Sequence, residues 1–348
     1  MMNEDQIRKK LTEVKYPGFN RDIVSFGLIK EIRPGPDQSV TVKIAIATRD
    51  PQIPAQIYSE ARIALESIEG IGKIDIDIDI QEPPAAVPQG GGEFQRLGLP
   101  GVRHIVAVAS GKGGVGKSTV ASNLAVALQR QGARVGLCDC DLYGPSMALM
   151  LGTREQPYAD ENNTIQPVEA HGVKLMSMGL LLGDEAPAIV RGPLATRYTQ
   201  QFLRQTQWGE LDYLILDLPP GTGDIQLTIV QTVALDGAII VTTPQEVALI
   251  DARKAATMFQ KVNVTILGLV ENMAWFECAH GERYAIFGEG GGAREAARLG
   301  VPLLGQIPLE VATRERGDLG TPVALLPESE SHVSAAFHDL ARNLLARD

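Results

Sequence analysis

Gly111-Lys-Gly-Gly-Val-Gly-Lys-Ser-Thr119 follows the apolar run His104-Ile-Val-Ala-Val-Ala109 and leads into the Ala/Leu-rich stretch Val120–Gln131. The order is strand, glycine loop, helix. Glycines let backbone N–H groups turn inward around phosphate oxygens, and a helix start adds its own positive end. Lys117 then reaches the terminal phosphates and Ser118 offers a hydroxyl to Mg²⁺. A bare GxxxxGK[ST] spacing arises by chance in long chains, so the flanking context decides, and here both the strand and the helix are present. A glycine-rich turn that merely precedes a helix would not call for two lysines.

The extra lysine, Lys112, stands where an ordinary phosphate loop needs no cation. A second ammonium can act on the nucleotide of a facing subunit, as an arginine finger does when supplied in trans. The loop therefore predicts a dimer whose two sites face each other.

Outward from the loop, short buried-type strands alternate with helices, the pattern of a mostly parallel sheet covered by helices on both faces. The expected strands are 105–109, 134–138, 173–178, 213–217, 237–241, 266–271 and 303–306, and the expected helices 118–131, 193–205, 223–234, 247–262, 293–299 and 332–346. The fold class is α/β, a P-loop NTPase over 101–348. Proline and glycine crowd the segment Glu82-Pro-Pro-Ala-Ala-Val-Pro-Gln-Gly-Gly-Gly92, so 82–100 reads as a linker. Ahead of it, residues 1–81 form a small α+β domain. Glu4–Val14 and Ala55–Ile68 have helical spacing, and 22–32, 40–47 and 73–80 alternate as strands. In Ile74-Asp-Ile-Asp-Ile-Asp-Ile80, Asp75, Asp77 and Asp79 line one face, which is how a half-buried strand looks; no calcium-type glycine or glutamate follows.

The chain of 348 residues is 44% hydrophobic, enough for two cores, and carries a formal charge of −10. That charge argues against a nucleic-acid carrier, whose footprint is basic. Apolar runs such as Ala234–Val241 fall short of the roughly 20 residues that cross a bilayer. The acidic, polar start is unlike a signal peptide, and three cysteines indicate no disulfide framework, so a reducing cytoplasm is expected.

In such a sheet the loops at the carboxyl ends of strands surround the phosphates. Asp217 ends the apolar run Leu214-Ile-Leu-Asp217, the form of a carboxylate that holds Mg²⁺ beside a P-loop. Asp139 and Asp141 end another strand, in Asp139-Cys-Asp-Leu-Tyr-Gly-Pro-Ser146. One of them can simply cap the turn before Gly144. Alternatively Asp141 orients or deprotonates the attacking water, while Asp139 supports Mg²⁺ or the loop.

These segments, with Asp217-Leu-Pro-Pro-Gly-Thr-Gly-Asp224, Glu271-Asn-Met273 and Phe287-Gly-Glu-Gly-Gly-Gly292, together resemble the Mrp/ApbC group of iron-sulfur cluster carrier ATPases from about Leu99 onward. The small domain, with Asp22-Ile-Val-Ser-Phe-Gly-Leu28 and Glu69-Gly-Ile-Gly72, resembles the iron-sulfur assembly domain that often precedes them. The resemblance implies an ATP-hydrolysing homodimer with Lys112 as signature lysine. Gly111, Lys112, Gly113, Gly114, Val115, Gly116, Lys117, Ser118 and Thr119 would bind ATP. Lys112, Lys117 and Asp141 would be catalytic, and Ser118, Asp139 and Asp217 would serve Mg²⁺. Asn272 would read the adenine edge, bordered by Ile307 and Pro308. Client apoproteins or iron-sulfur assembly factors would be the partners, without nucleic acid or membrane. Glu246 receives no role, and the glycines at 290–292 read as a helix-start turn.

The chain departs from that group at its thiols. Where many members carry Cys-x-x-Cys after Glu-Asn-Met, so that two chains bridge a [4Fe-4S] cluster with four thiolates, this chain has only Cys278, with His280 two residues on. Cys278 is either a cluster ligand or a lone thiol. The Cys-Pro turn of the small domain's relatives is replaced by Ala47-Thr-Arg-Asp-Pro-Gln-Ile-Pro54. Cys138 reads as strand packing, and Cys140, between two carboxylates, as a poor thiolate. Three functions follow: a slowly hydrolysing cluster carrier, turning over on the order of 10⁻⁴ to 10⁻² per second without a partner; a positioning ATPase like MinD and ParA; and a nucleotide-gated scaffold that carries no cluster.

Overall fold

The run before the glycine loop is strand and the stretch behind it helix in the computed structural model of the chain, which describes residues 4–17, 22–48, 52–68, 70–81, 98–160, 164–182, 192–278 and 280–347. The chain divides into two compact units, the first formed chiefly by residues up to 93 and the second chiefly by residues from 94 on. Residues 82–97 of the expected linker, and Glu69 of the small-domain motif, lie outside the described residues.

The first unit comprises α1 (Glu4–Leu11), β1 (Ile29–Pro34), β2 (Val40–Ala47), α2 (Gln52–Glu66) and β3 (Ile74–Gln81). Its sheet runs β1-β2-β3, with β1 antiparallel and β3 parallel to β2. Ile74, Ile76 and Ile78 pack against a core that includes Ile7, Leu11, Ile44, Ile57 and Leu65, while Asp75, Asp77 and Asp79 are exposed. The strand expected over 22–32 begins only at Ile29. The Asp22 carboxylate accepts the N–H groups of Val24 at 3.0 Å and Ser25 at 2.8 Å, and Gly27 takes a φ of 69°. A local carboxylate acceptor bends the chain into a turn before alternation can extend it.

The second unit opens with β4 (Val102–Ala109), α3 (Lys117–Arg130), β5 (Val135–Asp139), α4 (Met147–Met150), β6 (Tyr158–Ala159), β7 (Ile165–Gln166), β8 (Val168–Ala170) and β9 (Val173–Ser177). It continues with α5 (Met178–Leu182), α6 (Gly192–Gln205), β10 (Leu211–Asp217), α7 (Asp224–Thr232), β11 (Gly237–Thr242), α8 (Glu246–Lys261) and β12 (Ile266–Glu277). It closes with β13 (Arg283–Tyr284), α9 (Gly291–Leu299), β14 (Leu303–Leu309), α10 (Val311–Asp318) and α11 (His332–Leu345). Among the described residues the main sheet has the order β13-β12-β11-β4-β10-β5-β9-β8, with β14 also paired to β12. All its pairings are parallel except those of the short terminal strands, β8 on β9 and β13 on β12. Every residue of β5 and β11 is buried, as strands covered on both faces must be.

Helix α11 carries the apolar stripe that would suit a membrane surface, but Val333, Phe337, Leu340 and Leu344 are buried in the main core beside Leu124 and Leu128 of α3. Among the described residues no helix is long and apolar enough to cross a membrane.

Gln226 on α7 is 1% exposed, and neither its Nε2 nor its Oε1 finds a hydrogen-bond partner among the described residues. An unpaired buried polar group costs about 1–3 kcal/mol. Gln226→Met, which fills the same space without the amide, is expected to raise the melting temperature of the nucleotide-free protein by about 2–4 °C in a thermal scan. A lower melting temperature would mean that the amide is satisfied in solution.

Candidate functional site

Parallel pairing brings three strand ends together. Asp217 of β10 stands in register with Val108 of β4 on one side and Asp139 of β5 on the other. The backbone continues the alignment beyond the strands, with Leu218 N–H donating to Val108 O at 3.1 Å, Gly221 N–H to Ser110 O at 3.0 Å and Cys140 N–H to Asp217 O at 2.9 Å. The glycine loop leaves the end of β4 into this same cluster. Gly116, at φ 79°, is the residue before the first turn of α3, and a Cβ there would lie 2.1 Å from Asn272 Nδ2. Left-handed backbone and a close neighbour both demand glycine.

Lys117 is 6% exposed, and its Nζ lies 2.5 Å from Asp217 Oδ1 and 3.3 Å from Ser118 Oγ. Ser118 Oγ donates to Asp217 Oδ2 at 2.8 Å. Adjacent Lys117 and half-buried Ser118 thus form one cluster with buried Asp217, 100 and 99 residues further along the chain. Burial pushes the Asp217 carboxyl above its ordinary value, and the Lys117 ammonium opposes that rise.

Asp139 is buried too, and its oxygens accept four donors: Asp141 N–H at 3.1 Å, Ser146 N–H at 3.0 Å, Met147 N–H at 3.1 Å and Ser177 Oγ–H at 2.9 Å. It ties the loop 140–147 to the end of β5. Burial and the neighbouring Asp217 charge push its carboxyl up to about 7, against the pull of Met147 N–H and Ser177. Asp141 is half-buried, and among the described residues its carboxylate has one long hydrogen bond, accepting Gly144 N–H at 3.3 Å. The turn-capping and loop-supporting alternatives read from the sequence therefore fall to different extents on both acids, Asp139 carrying most of the load.

Asn272 is 5% exposed and its Nδ2 donates to Val115 O at 2.9 Å, so its amide is committed to the glycine loop. It pairs in register with Ile307 of β14. The Ile307 side chain belongs to the main core and Pro308 is buried, so any role for these two at a base is one for their backbone. Lys112 is half-buried, its carbonyl accepting the Ser110 hydroxyl at 2.9 Å.

Sequence reasoning passed over Glu271. It is 1% exposed and closes the apolar run 266–270, the same sequence signature that singled out Asp217, although β12 continues past it to Glu277. Its Oε2 accepts Gly292 N–H in the first turn of α9 and its Oε1 accepts Gln306 Nε2 at 2.7 Å, so it caps that helix start. The glycines at 290–292 do form the helix-start turn, with Gly290 left-handed before α9. Glu246 also gains a place. Arg253 bonds Glu246 at 2.8 Å and both oxygens of Glu295 at 2.8 Å, tying α8 to α9.

The thiols are separated. Cys138 and Cys140 are buried at the end of β5, and the Cys140 thiol is held well above its ordinary value by its bond to Cys138, by burial and by the Asp139 and Asp217 charges. Cys278 is half-buried in the β12–β13 hairpin, its N–H donating to Glu282 O at 3.0 Å. Arg283 of that hairpin lies 4.8 Å over the Trp275 ring, and His280 is exposed. Among the described residues no group of three or more His, Cys, Asp or Glu side chains is placed to hold a metal ion.

A parallel sheet whose strand ends converge on a glycine loop, a buried lysine and a serine–aspartate pair defines a P-loop NTPase. Residues 101–345 match the ParA family, described as the NUBPL iron-transfer P-loop NTPase, and the chain belongs to that family. It is 45% identical over 342 residues to the iron-sulfur cluster carrier protein of Deinococcus radiodurans, covering 98% of this chain and 94% of the relative. The nucleotide-binding protein of Archaeoglobus fulgidus, solved in complex with ADP, superposes with a TM-score of 0.58 at 38% identity over 67% of this chain and 92% of that one. The cell division ATPase MinD of Pyrococcus furiosus superposes with a TM-score of 0.55 at 25% identity over 70% of this chain and 99% of that one. The fold expected from the sequence, and the resemblance drawn from its motifs, stand on these matches.

Proposed function

We propose that this protein is an ATP-binding, slowly ATP-hydrolysing carrier or assembly factor for iron-sulfur clusters, working as a nucleotide-switched homodimer on client apoproteins in a reducing cytoplasm. The observation that carries the reading is the cluster of buried Lys117 and Asp217 with half-buried Ser118 at the mouth of the glycine loop. The N–H groups of 113–119 close around the phosphates of ATP, and Lys117 exchanges its bond to Asp217 for the terminal phosphates. The oxygen donors of Ser118 and Asp217, 2.8 Å apart with Asp139 alongside, are the hard ligand set that Mg²⁺ takes, directly or through water. Held there by Ser118, Asp217 and Asp139, that ion would supply positive charge against the charge developing on the transferred phosphoryl group. Asp141, lightly held in the loop that Asp139 anchors, orients the attacking water. Lys112 serves the nucleotide of the facing subunit. Asn272 and the backbone at Ile307 and Pro308 border the base.

The cluster is cargo, and Cys278 is its candidate ligand. With one thiolate per subunit at this hairpin, a dimer supplies two, and a [4Fe-4S] cluster is normally held by four. That shortfall favours a second reading, a nucleotide-gated scaffold that carries no cluster. Anaerobic reconstitution with iron and sulfide separates the two. On the carrier reading, wild type gains cluster absorbance and iron, and Cys278→Ser loses at least half of that iron. Equal iron in both proteins, or none in either, leaves the scaffold.

A further inference from the structure

Cys138 and Cys140 flank the loop-anchoring aspartate, and their side chains share one side of the strand end, as residues two apart in an extended chain do. Their sulfurs lie 3.8 Å apart, in van der Waals contact, with both residues almost wholly buried, at 0% and 1% exposure. The chain's third thiol, Cys278, lies on a different element. We propose that Cys138 and Cys140 form a reversible intramolecular disulfide that switches the nucleotide site off.

The reactants balance with a low-molecular-weight disulfide as oxidant. One protein thiol displaces a small thiol from it, forming a mixed disulfide. The second protein thiol then attacks that sulfur and releases the other small thiol, so the protein loses two electrons and two protons. Sulfur–sulfur separation must fall from 3.8 Å to about 2.05 Å. Residues two apart in a strand have Cα atoms about 6.6 Å apart, near the upper end of the roughly 4.4–6.8 Å that a disulfide spans. The bond therefore pinches the backbone at residue 139. A strained disulfide has a high reduction potential, so cellular thiols reopen it, the property of a switch rather than a staple. Both thiols are almost wholly buried and the Cys140 thiol is held well above its ordinary value, so the exchange is slow and requires opening of the loop 140–147, whose outer residues Tyr143 and Gly144 are exposed.

The consequence is carried by Asp139. Its four acceptor contacts set the position of Asp141 and of the turn at Ser146 and Met147. Displacing a catalytic group by about 1 Å can cost on the order of 100-fold in rate. The thiol chemistry stands on geometry alone, whereas its effect on turnover rests on the ATPase reading above.

The test treats the full-length protein with diamide or oxidised glutathione, alkylates remaining thiols with N-ethylmaleimide after denaturation, and reads the intact mass alongside ATP turnover. Wild type is expected to retain one alkylatable thiol of three, to stay free of intermolecular bonds, and to lose turnover at least about tenfold with recovery in dithiothreitol. Cys140→Ala is expected to keep two thiols and to lose no turnover, and Cys138→Ala provides the same readout should that variant fold poorly. Three free thiols in treated wild type, or oxidant adducts at Cys138 or Cys140 without the bond between them, overturn the disulfide. Undiminished turnover in disulfide-containing protein overturns the switch. Absence of turnover in reduced protein instead counts against the ATPase reading, and the thiol count still decides the bond.

Discussion

Lys117→Ala is expected to abolish ATP turnover and to destabilise the nucleotide-free protein, with a pH dependence that identifies the cause. Removal of the ammonium takes away a donor to the phosphates, worth a factor of at least about 100 in rate by analogy with other charge-stabilising donors. It also leaves Asp217, with no exposed surface, without the cation that lies 2.5 Å from it. Breaking a buried ion pair from one side costs about 3–5 kcal/mol when the remaining charge stays ionised. Asp217 is already raised above its ordinary value, and losing Lys117 raises it further. A carboxyl with a raised folded-state pKa binds protons more tightly in the folded state than in the unfolded one. Its cost is therefore absent at pH values below the unfolded pKa and grows as pH rises toward the folded one. Melting curves should show a small deficit near pH 4 that grows as pH rises toward the raised folded-state value. Combining Lys117→Met with Asp217→Asn should restore much of the stability and none of the turnover. A single variant that melted like wild type at pH 8 would show that the pair contributes nothing to the folded state.

The second large effect separates two aspartates that look alike in the sequence. Asp139→Ala strands Asp141 N–H, Ser146 N–H, Met147 N–H and the Ser177 hydroxyl, all of which bond its oxygens. Each buried donor left unpaired costs about 1–3 kcal/mol, with relaxation and incoming water reducing the sum. Asp139→Ala should therefore lose both stability, by about 3 kcal/mol or more, and turnover. Asp141→Ala forfeits a single contact of 3.3 Å. It should melt within a degree or two of wild type, bind ATP with similar affinity in calorimetry, and lose hydrolysis. If the two variants had the same melting temperature, the division into an anchor and a water-orienting group would be wrong.

Local chemistry explains which parts of the fold could be read ahead of the structure. Buried parallel strands need apolar side chains on both faces, so β5, β11 and the 213–217 part of β10 are legible as uninterrupted runs ending in a polar residue. The short antiparallel strands β8 and β13 gave no such signal, because two or three residues carry no period. Residues 22–28 alternated like a strand and became a turn, since the Asp22 carboxylate found N–H groups two and three residues on. Glu271 was legible in principle, as an acid following the apolar run 266–270, though the strand itself continues to Glu277. It was passed over because its partners, Gly292 and Gln306, lie 21 and 35 residues away. Ile307 was read as bordering a base, yet its side chain fills the core. A strand residue beside a site points either inward or outward, and the choice depends on register.

What the sequence determined by itself was the make-up of the glycine loop, because the groups that suit phosphate, namely backbone N–H groups, a lysine and a hydroxyl, all lie within nine consecutive residues. It also determined the α/β class, since hydrophobic periodicity is a local property. The tertiary structure alone decided which distant carboxylate meets Lys117, that Asp139 anchors while Asp141 is lightly held, that Asn272 grips the loop at Val115, and that the Cys138 and Cys140 sulfurs touch. Those outcomes depend on strand register and on the separation of groups across the sheet, which arise only when the parallel strands close and burial makes each unpaired polar atom costly.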